Sequence, residues 1–135
     1  YIINLYAAEM IESFGFLGNV FSVFKKHKVV ADVVSTGEAN VSVTIDQKPD
    51  EDFLKELKKY AEVKVMPKKT IICIVGQDLN SDGGILARLF HAIREYPVYI
   101  ISQSSSARNI TIVVDKNDDK KVVELIYKEL FKNNK

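Results

Sequence analysis

The apolar positions of this chain repeat with first a strand period and then a helix period. Residues 2–7 form an apolar run typical of a strand. A spacing of i, i+3, i+4 and i+7 then predicts a helix over 15–27. The residues that give this spacing are Leu17, Val20, Phe21 and Phe24.

The same alternation of periods continues as far as residue 66. Residues 29–35 and 40–46 read as strands, and the second has Val41, Val43 and Ile45 on its inward face. Pro49-Asp50 opens a second helix. The apolar side of that helix carries Phe53, Leu54 and Leu57. Residues 61–66 alternate again, which completes the order βαββαβ and predicts an α+β sandwich of one sheet and two helices.

The second half of the chain repeats the first at a shift of 69 residues. Gly15-Phe16-Leu17 aligns with Gly84-Ile85-Leu86, and Asn40-Val41 aligns with Asn109-Ile110, with no gap introduced. This internal duplication predicts two domains, 1–66 and 67–135.

The second copy lacks a counterpart of the strand at 61–66, so its sheet should have an unpaired edge. We expect a strand from upstream of Tyr1 to fill that place, with the first repeat inserted in the second. Because the sequence begins inside a strand pattern, we also expect it to be a piece of a longer protein.

Composition narrows the class of protein. The chain has 135 residues, 47% of them hydrophobic, a net charge of +1 and a single cysteine. This charge gives no general attraction to nucleic acid or to a membrane surface. A lone cysteine and the lack of a long apolar run favour a cytoplasmic protein.

Several functions that use a βαββαβ unit need residues that this sequence does not have. The third strand offers Ser42 and Thr44 where an RNA-binding sheet needs aromatic rings. The loop before the first helix has no cysteine pair for a metal, and Gly15-Phe16-Leu17-Gly18 is not a phosphate-binding loop. We therefore expect no catalytic group, no metal and no cofactor in this chain.

A free amino acid matches the chemistry of the first repeat better. The helix start at Gly15–Leu17 presents backbone N–H groups that favour a carboxylate. Asp32 interrupts an apolar strand, and its carboxylate could hold the ligand's ammonium group. Two plainer interpretations stay open: Asp32 could pair with Lys28 or another lysine, and Phe16 could belong to the core.

The run Met10-Ile11-Glu12-Ser13-Phe14-Gly15-Phe16-Leu17, followed by Val33-Val34-Ser35-Thr36 and Val41-Ser42-Val43, resembles the regulatory region of aspartate kinases. That region carries paired ACT domains, which are ferredoxin-like sandwiches. The resemblance implies feedback inhibition by lysine or, as second choice, threonine. It assigns effector contacts to Met10, Ser13, Gly15, Phe16, Leu17, Val30, Ala31, Asp32 and Thr36. Gly37 stands where a serine is usual, and Glu12 stands where histidine can occur.

The resemblance also implies partners. The parent enzyme would transfer phosphate from ATP to aspartate, using Mg²⁺ and an upstream catalytic domain, while this fragment would be inactive. ACT sheets of two chains would join in a homodimer. Since Ile101 aligns with Asp32, the second copy should serve as a structural or interface domain. The alternatives are an ACT-type amino-acid sensor of another enzyme or regulator, and a dimerisation module without a ligand.

Overall fold

The computed structural model describes residues 1–7, 15–81, 83–106 and 108–132. The chain divides into two compact units, Tyr1–Pro67 and Lys68–Lys135. Unit 1 contains β1 (Ile2–Tyr6), α1 (Phe16–Lys26), β2 (Val34–Thr36), β3 (Asn40–Thr44), α2 (Glu51–Leu57) and β4 (Glu62–Met66). Unit 2 contains β5 (Lys69–Val75), α3 (Gly84–Ala92), β6 (Ile100–Gln103), β7 (Asn109–Asp115) and α4 (Asp119–Tyr127). A 3₁₀ turn at Lys116–Asp118 precedes α4, and a π-helical turn at Lys128–Lys132 follows it.

Unit 1 is an α+β sandwich with a four-stranded antiparallel sheet in the order β2-β3-β1-β4. Its core consists of alternate residues from the strands and one side of each helix, as the predicted βαββαβ order requires. Val41, Val43 and Ile45 are buried, which confirms the predicted inward face of the third strand.

The buried side of α1 differs from the predicted one. Phe16, Val20, Val23 and Phe24 are buried, whereas Leu17 is 39% exposed. Both sets of residues satisfy helical spacing, because a helix this apolar offers two adjacent stripes. The edge ring contact between Phe24 and Phe53, with centroids 5.0 Å apart, selects the observed stripe.

Unit 2 has three antiparallel strands in the described part of the chain, in the order β5-β7-β6. β5 corresponds to β1, but it pairs on one side only, with β7. A cleft of about 150 Å³ flanks β5 and is lined by residues of that strand and of the last helical turns. The apolar residues there are Ile72, Ile74, Val75, Val123, Ile126, Tyr127 and Phe131. A strand contributed from upstream of Tyr1 remains a prediction for this place.

The duplication has a gap that the sequence alignment did not show. β1 and β3 match β5 and β7 at a shift of 69 residues, since Ile2 pairs with Thr44 as Ile71 pairs with Val113. β2 and β6 match at a shift of 67 residues instead. Val34 lies opposite Val43, and Ile101 lies opposite Ile112. The structural counterpart of Asp32 is therefore Tyr99, and the predicted equivalence of Asp32 with Ile101 is wrong.

Candidate functional site

The start of α1 supplies the predicted carboxylate-binding end of the site. Gly15 is the N-cap residue and has φ = 85°, a left-handed conformation that glycine adopts without strain. No side chain caps this end, and the first turn of α1 contains no acidic residue. The amide groups that begin α1 are therefore suited to an anion.

Phe16 and Leu17 contribute differently to this end of α1. Phe16 is only 6% exposed and belongs to the core, so its side chain has the plainer of its two predicted roles. Leu17 is exposed and could contact a ligand directly. Two further predicted contacts, Met10 and Ser13, lie outside the described residues.

The remaining predicted contacts lie along the edge strand β2 and the extended segment before it. Val30 is 72% exposed, and Ala31 packs against the core. Asp32 and Thr36 are exposed, and Thr36 lies opposite Val41 at the far end of β2. This strand is an edge of the sheet, so its outer side has no strand partner in the described chain.

Asp32 is not near the start of α1. Its N–H donates to the Thr44 carbonyl (3.0 Å), and Thr44 lies opposite Ile2, where β1 begins. The loop toward α1 leaves from the other end of β1, four residues further along. Four residues of strand span about 13 Å. Within one chain, the two predicted halves of the amino-acid site are therefore apart.

The neighbour of Asp32 is another acid, Asp46, rather than Lys28 or another lysine. Partial desolvation raises the pKa of the Asp32 carboxyl above its ordinary value, and the charge of Asp46 and a hydrogen bond with it add to the increase. The amino group of Tyr1 opposes this shift. Sequence reasoning missed Asp46, although its alignment with Asp115 in the repeat was a usable signal.

The corresponding position in unit 2 is neutralised internally. Tyr99, the counterpart of Asp32, donates its hydroxyl to Asp115 at 3.0 Å. Lys69 forms an ion pair with Asp115 at 2.6 Å, and its Nζ lies 4.3 Å from the centre of the Tyr99 ring. Asp115 thus has a cation and a hydroxyl, whereas Asp46 in unit 1 faces a second carboxyl group.

Two features of the described chain bear on other functions. No helix there is long and apolar enough to cross a bilayer. No group of three or more acidic, histidine or cysteine side chains in the same residues could hold a metal ion.

These two sandwiches, with their strand and helix order, define a pair of ACT-type domains. The family model for the ACT domain matches residues 72–130. A proposed C-terminal regulatory domain of aspartate kinase from Porphyromonas gingivalis W83 is 31% identical, with a TM-score of 0.81 over 96% of this chain and 90% of that one. The chain belongs to the family of aspartate kinase regulatory domains.

Two longer relatives extend this comparison. Aspartokinase of Saccharomyces cerevisiae is 31% identical over 96% of this chain and 26% of its own length. Escherichia coli aspartokinase III, in complex with lysine and aspartate in the T-state, is 25% identical with a TM-score of 0.85, covering 96% of this chain and 31% of that one. The chain thus spans about a quarter of the length of the curated relatives it matches.

Proposed function

We propose that this chain is the amino-acid-sensing region of an aspartate kinase and that it binds lysine, with threonine as the second candidate. The observation that carries the proposal is the likeness, over nearly the whole chain, to aspartokinase III in complex with lysine and aspartate. The uncapped start of α1 and the exposed Asp32 supply groups for the carboxylate and an ammonium of such a ligand.

The parent enzyme would transfer the γ-phosphoryl group of ATP to the β-carboxylate of aspartate. ATP and Mg²⁺ would bind to a catalytic domain upstream, and the isolated chain would be inactive. Effector binding would favour the inactive arrangement of the parent, with a coupling free energy of about 1–3 kcal/mol. A cytoplasmic location remains part of this proposal.

The site would be completed by a second copy of the chain. β2 is an edge strand with exposed apolar residues, Val30 at 72% and Val34 at 38%. A two-fold axis through Val34 would pair two β2 strands antiparallel, since such an axis makes the same surface self-complementary. In that register Thr36 lies opposite Asp32 of the second copy. The two halves that are about 13 Å apart in one chain would then meet across the dimer.

The proposal is tested by isothermal titration calorimetry of the chain with lysine, threonine and methionine as a control ligand. We expect heat with lysine or threonine, and weaker binding by the Asp32→Ala and Thr36→Ala variants. Absence of heat with every amino acid, together with a stable dimer, would support the dimerisation module instead.

Mixing the two variants tests whether the site spans two copies. A heterodimer of Asp32→Ala with Thr36→Ala has one site with both changes and one with neither. If the site spans two copies, the mixture regains tight binding at part of the sites. If each site lies within one chain, the mixture binds no better than the separate variants.

A further inference from the structure

β2 bulges at the residue that would bind the effector's ammonium group. The Asp32 N–H donates to the Thr44 carbonyl (3.0 Å), and the next N–H, that of Val33, donates to Thr44 Oγ1 (2.8 Å). The Thr44 N–H donates to the Val33 carbonyl (2.9 Å). Two residues of one strand thus face one residue of the other, which is the arrangement of a β-bulge.

The Thr44 hydroxyl lies at the centre of this bulge. Thr44 is 3% exposed, and it is the buried polar residue of the described chain. A buried hydroxyl needs a hydrogen-bond partner, and the Val33 N–H provides one. Regular pairing of β2 with β3 begins only at Val34, so the Thr44 side chain takes over the contact that the ladder would otherwise supply.

Unit 2 shows what the bulge looks like without a hydroxyl. Val113 occupies the position of Thr44, and the Tyr99 N–H donates to its carbonyl at 2.8 Å. There the following residue, Ile100, is already in register opposite Val113. A valine at this position is therefore compatible with the strand, but it leaves the next residue in the ladder. The hydroxyl of Thr44 is what separates Val33 from regular pairing.

We propose that Thr44 is a positioning residue for the effector: its buried hydroxyl holds the bulge that directs the Asp32 carboxyl toward Asp46 and the open edge of the sheet. The inference rests on the proposed function, since it concerns the orientation of a residue in that site. Thr44 would not touch the ligand. It would act through Asp32 alone.

The test is calorimetric binding of lysine and threonine to the full chain and to variants of Thr44. Thr44→Val should weaken binding about tenfold, which corresponds to one lost hydrogen bond of about 1.4 kcal/mol. Thr44→Ser keeps the hydroxyl and should bind within about twofold of the unaltered chain. Ser42→Ala, which removes the hydroxyl that donates to Asn4 Oδ1 on the same strand, is the matched control and should not change binding.

A double-mutant cycle separates positioning from a general loss of structure. Thr44→Val should weaken binding no further when Asp32 is already changed to Asn. An equal loss in both backgrounds, or unaltered binding by Thr44→Val alone, overturns the inference. If the unaltered chain binds no amino acid, the proposed function fails, and the NMR measurement below still decides the orientation of Asp32.

That measurement follows the titration of the Asp32 carboxyl carbon by NMR, with Asp46→Asn as the variant, because Asp46 is exposed and its change does not threaten folding. Asp46→Asn should move the titration midpoint of Asp32 to lower pH. An unchanged midpoint would show that the bulge does not direct Asp32 toward Asp46, and it would overturn the inference even if Thr44→Val does not fold.

Discussion

Tyr99 donates its hydroxyl to Asp115 in unit 2, at the place where Asp32 meets Asp46 in unit 1. Lys69 completes the first arrangement with an ion pair to Asp115. One backbone framework therefore carries a neutralised cluster in one copy and an excess of negative charge in the other. This difference is consistent with a structural role for unit 2 and a ligand role for unit 1.

Tyr99→Phe should lower the free energy of unfolding by about 0.5–1.5 kcal/mol, because it removes one hydrogen bond and leaves the ring in place. Urea denaturation followed by circular dichroism gives this quantity. The hydrogen bond to Asp115 also raises the pKa of the Tyr99 hydroxyl. A spectrophotometric titration should therefore show Tyr99 ionising later than a free tyrosine, and an unshifted Tyr99 would contradict the contact.

Gly15→Ala should destabilise unit 1 by about 1–2 kcal/mol, because an alanine at φ = 85° is strained. The space around Gly15 is open, so the strain comes from the backbone alone. Gly18→Ala is the control. Gly18 lies inside α1 with equally open surroundings, and its replacement should stabilise the chain by about 0.5–1 kcal/mol. Equal effects of the two changes in thermal unfolding would refute this explanation.

Lys28→Gly should stabilise unit 1. The Val29 N–H donates to the Phe24 carbonyl (2.9 Å) and the Lys28 N–H donates to the Lys25 carbonyl (3.2 Å), which together form a Schellman end to α1. Lys28 has φ = 56° in this motif. Relief of that strain is expected to contribute about 1 kcal/mol. Lys25→Gly, inside the helix, should destabilise by about the same amount, and the two variants are compared by urea denaturation.

Glu56 should make the stability of unit 1 depend on acid pH. His27 Nε2 lies 2.6 Å from Glu56 Oε2, and Lys26 Nζ lies 2.9 Å from Oε1. Hydrogen bonds from His27 and then Lys26 hold the pKa of Glu56 below its ordinary value of 4.5. The stabilisation is therefore complete above that value and is lost as the pH falls through the lowered pKa.

The measurement for Glu56 is the unfolding free energy between pH 7 and pH 2 for the chain and for Glu56→Gln. The variant should be less stable at pH 7, and the two curves should converge as the pH falls. Parallel curves would show that Glu56 gains nothing from its two neighbours.

The open edge of β5 leads to a prediction about a longer chain. If a segment upstream of Tyr1 forms a fourth strand there, the outward amides of β5 should exchange hydrogen slowly in a longer protein and quickly in this chain. Ile72 and Ile74, which line the cleft beside β5, are suitable reporters of that region. Equally fast exchange in both proteins would exclude the strand from this place.

Sequence reasoning predicted the repeated units and nearly every element, because strand and helix periods are local. It missed the offset of β6, since Ser104-Ser105 and Asn109 gave an ungapped match while the strand itself had slipped. It placed Asp32 beside the α1 start because neighbouring strands were assumed to be level. Register depends on the partner strand, and the Thr44 bulge that fixes it has no local signal in the sequence.

The slip of two residues limits how the halves of this protein can be recombined. A chimera that exchanges residues 29–36 for their aligned segment at a spacing of 69 would insert Tyr99 two positions too early in unit 1. An exchange at a spacing of 67 would instead bring Tyr99 to the place of Asp32 and Ile101 to the place of Val34. Grafting experiments and gene-fusion designs on this scaffold should therefore take their crossover points from the strand ladder.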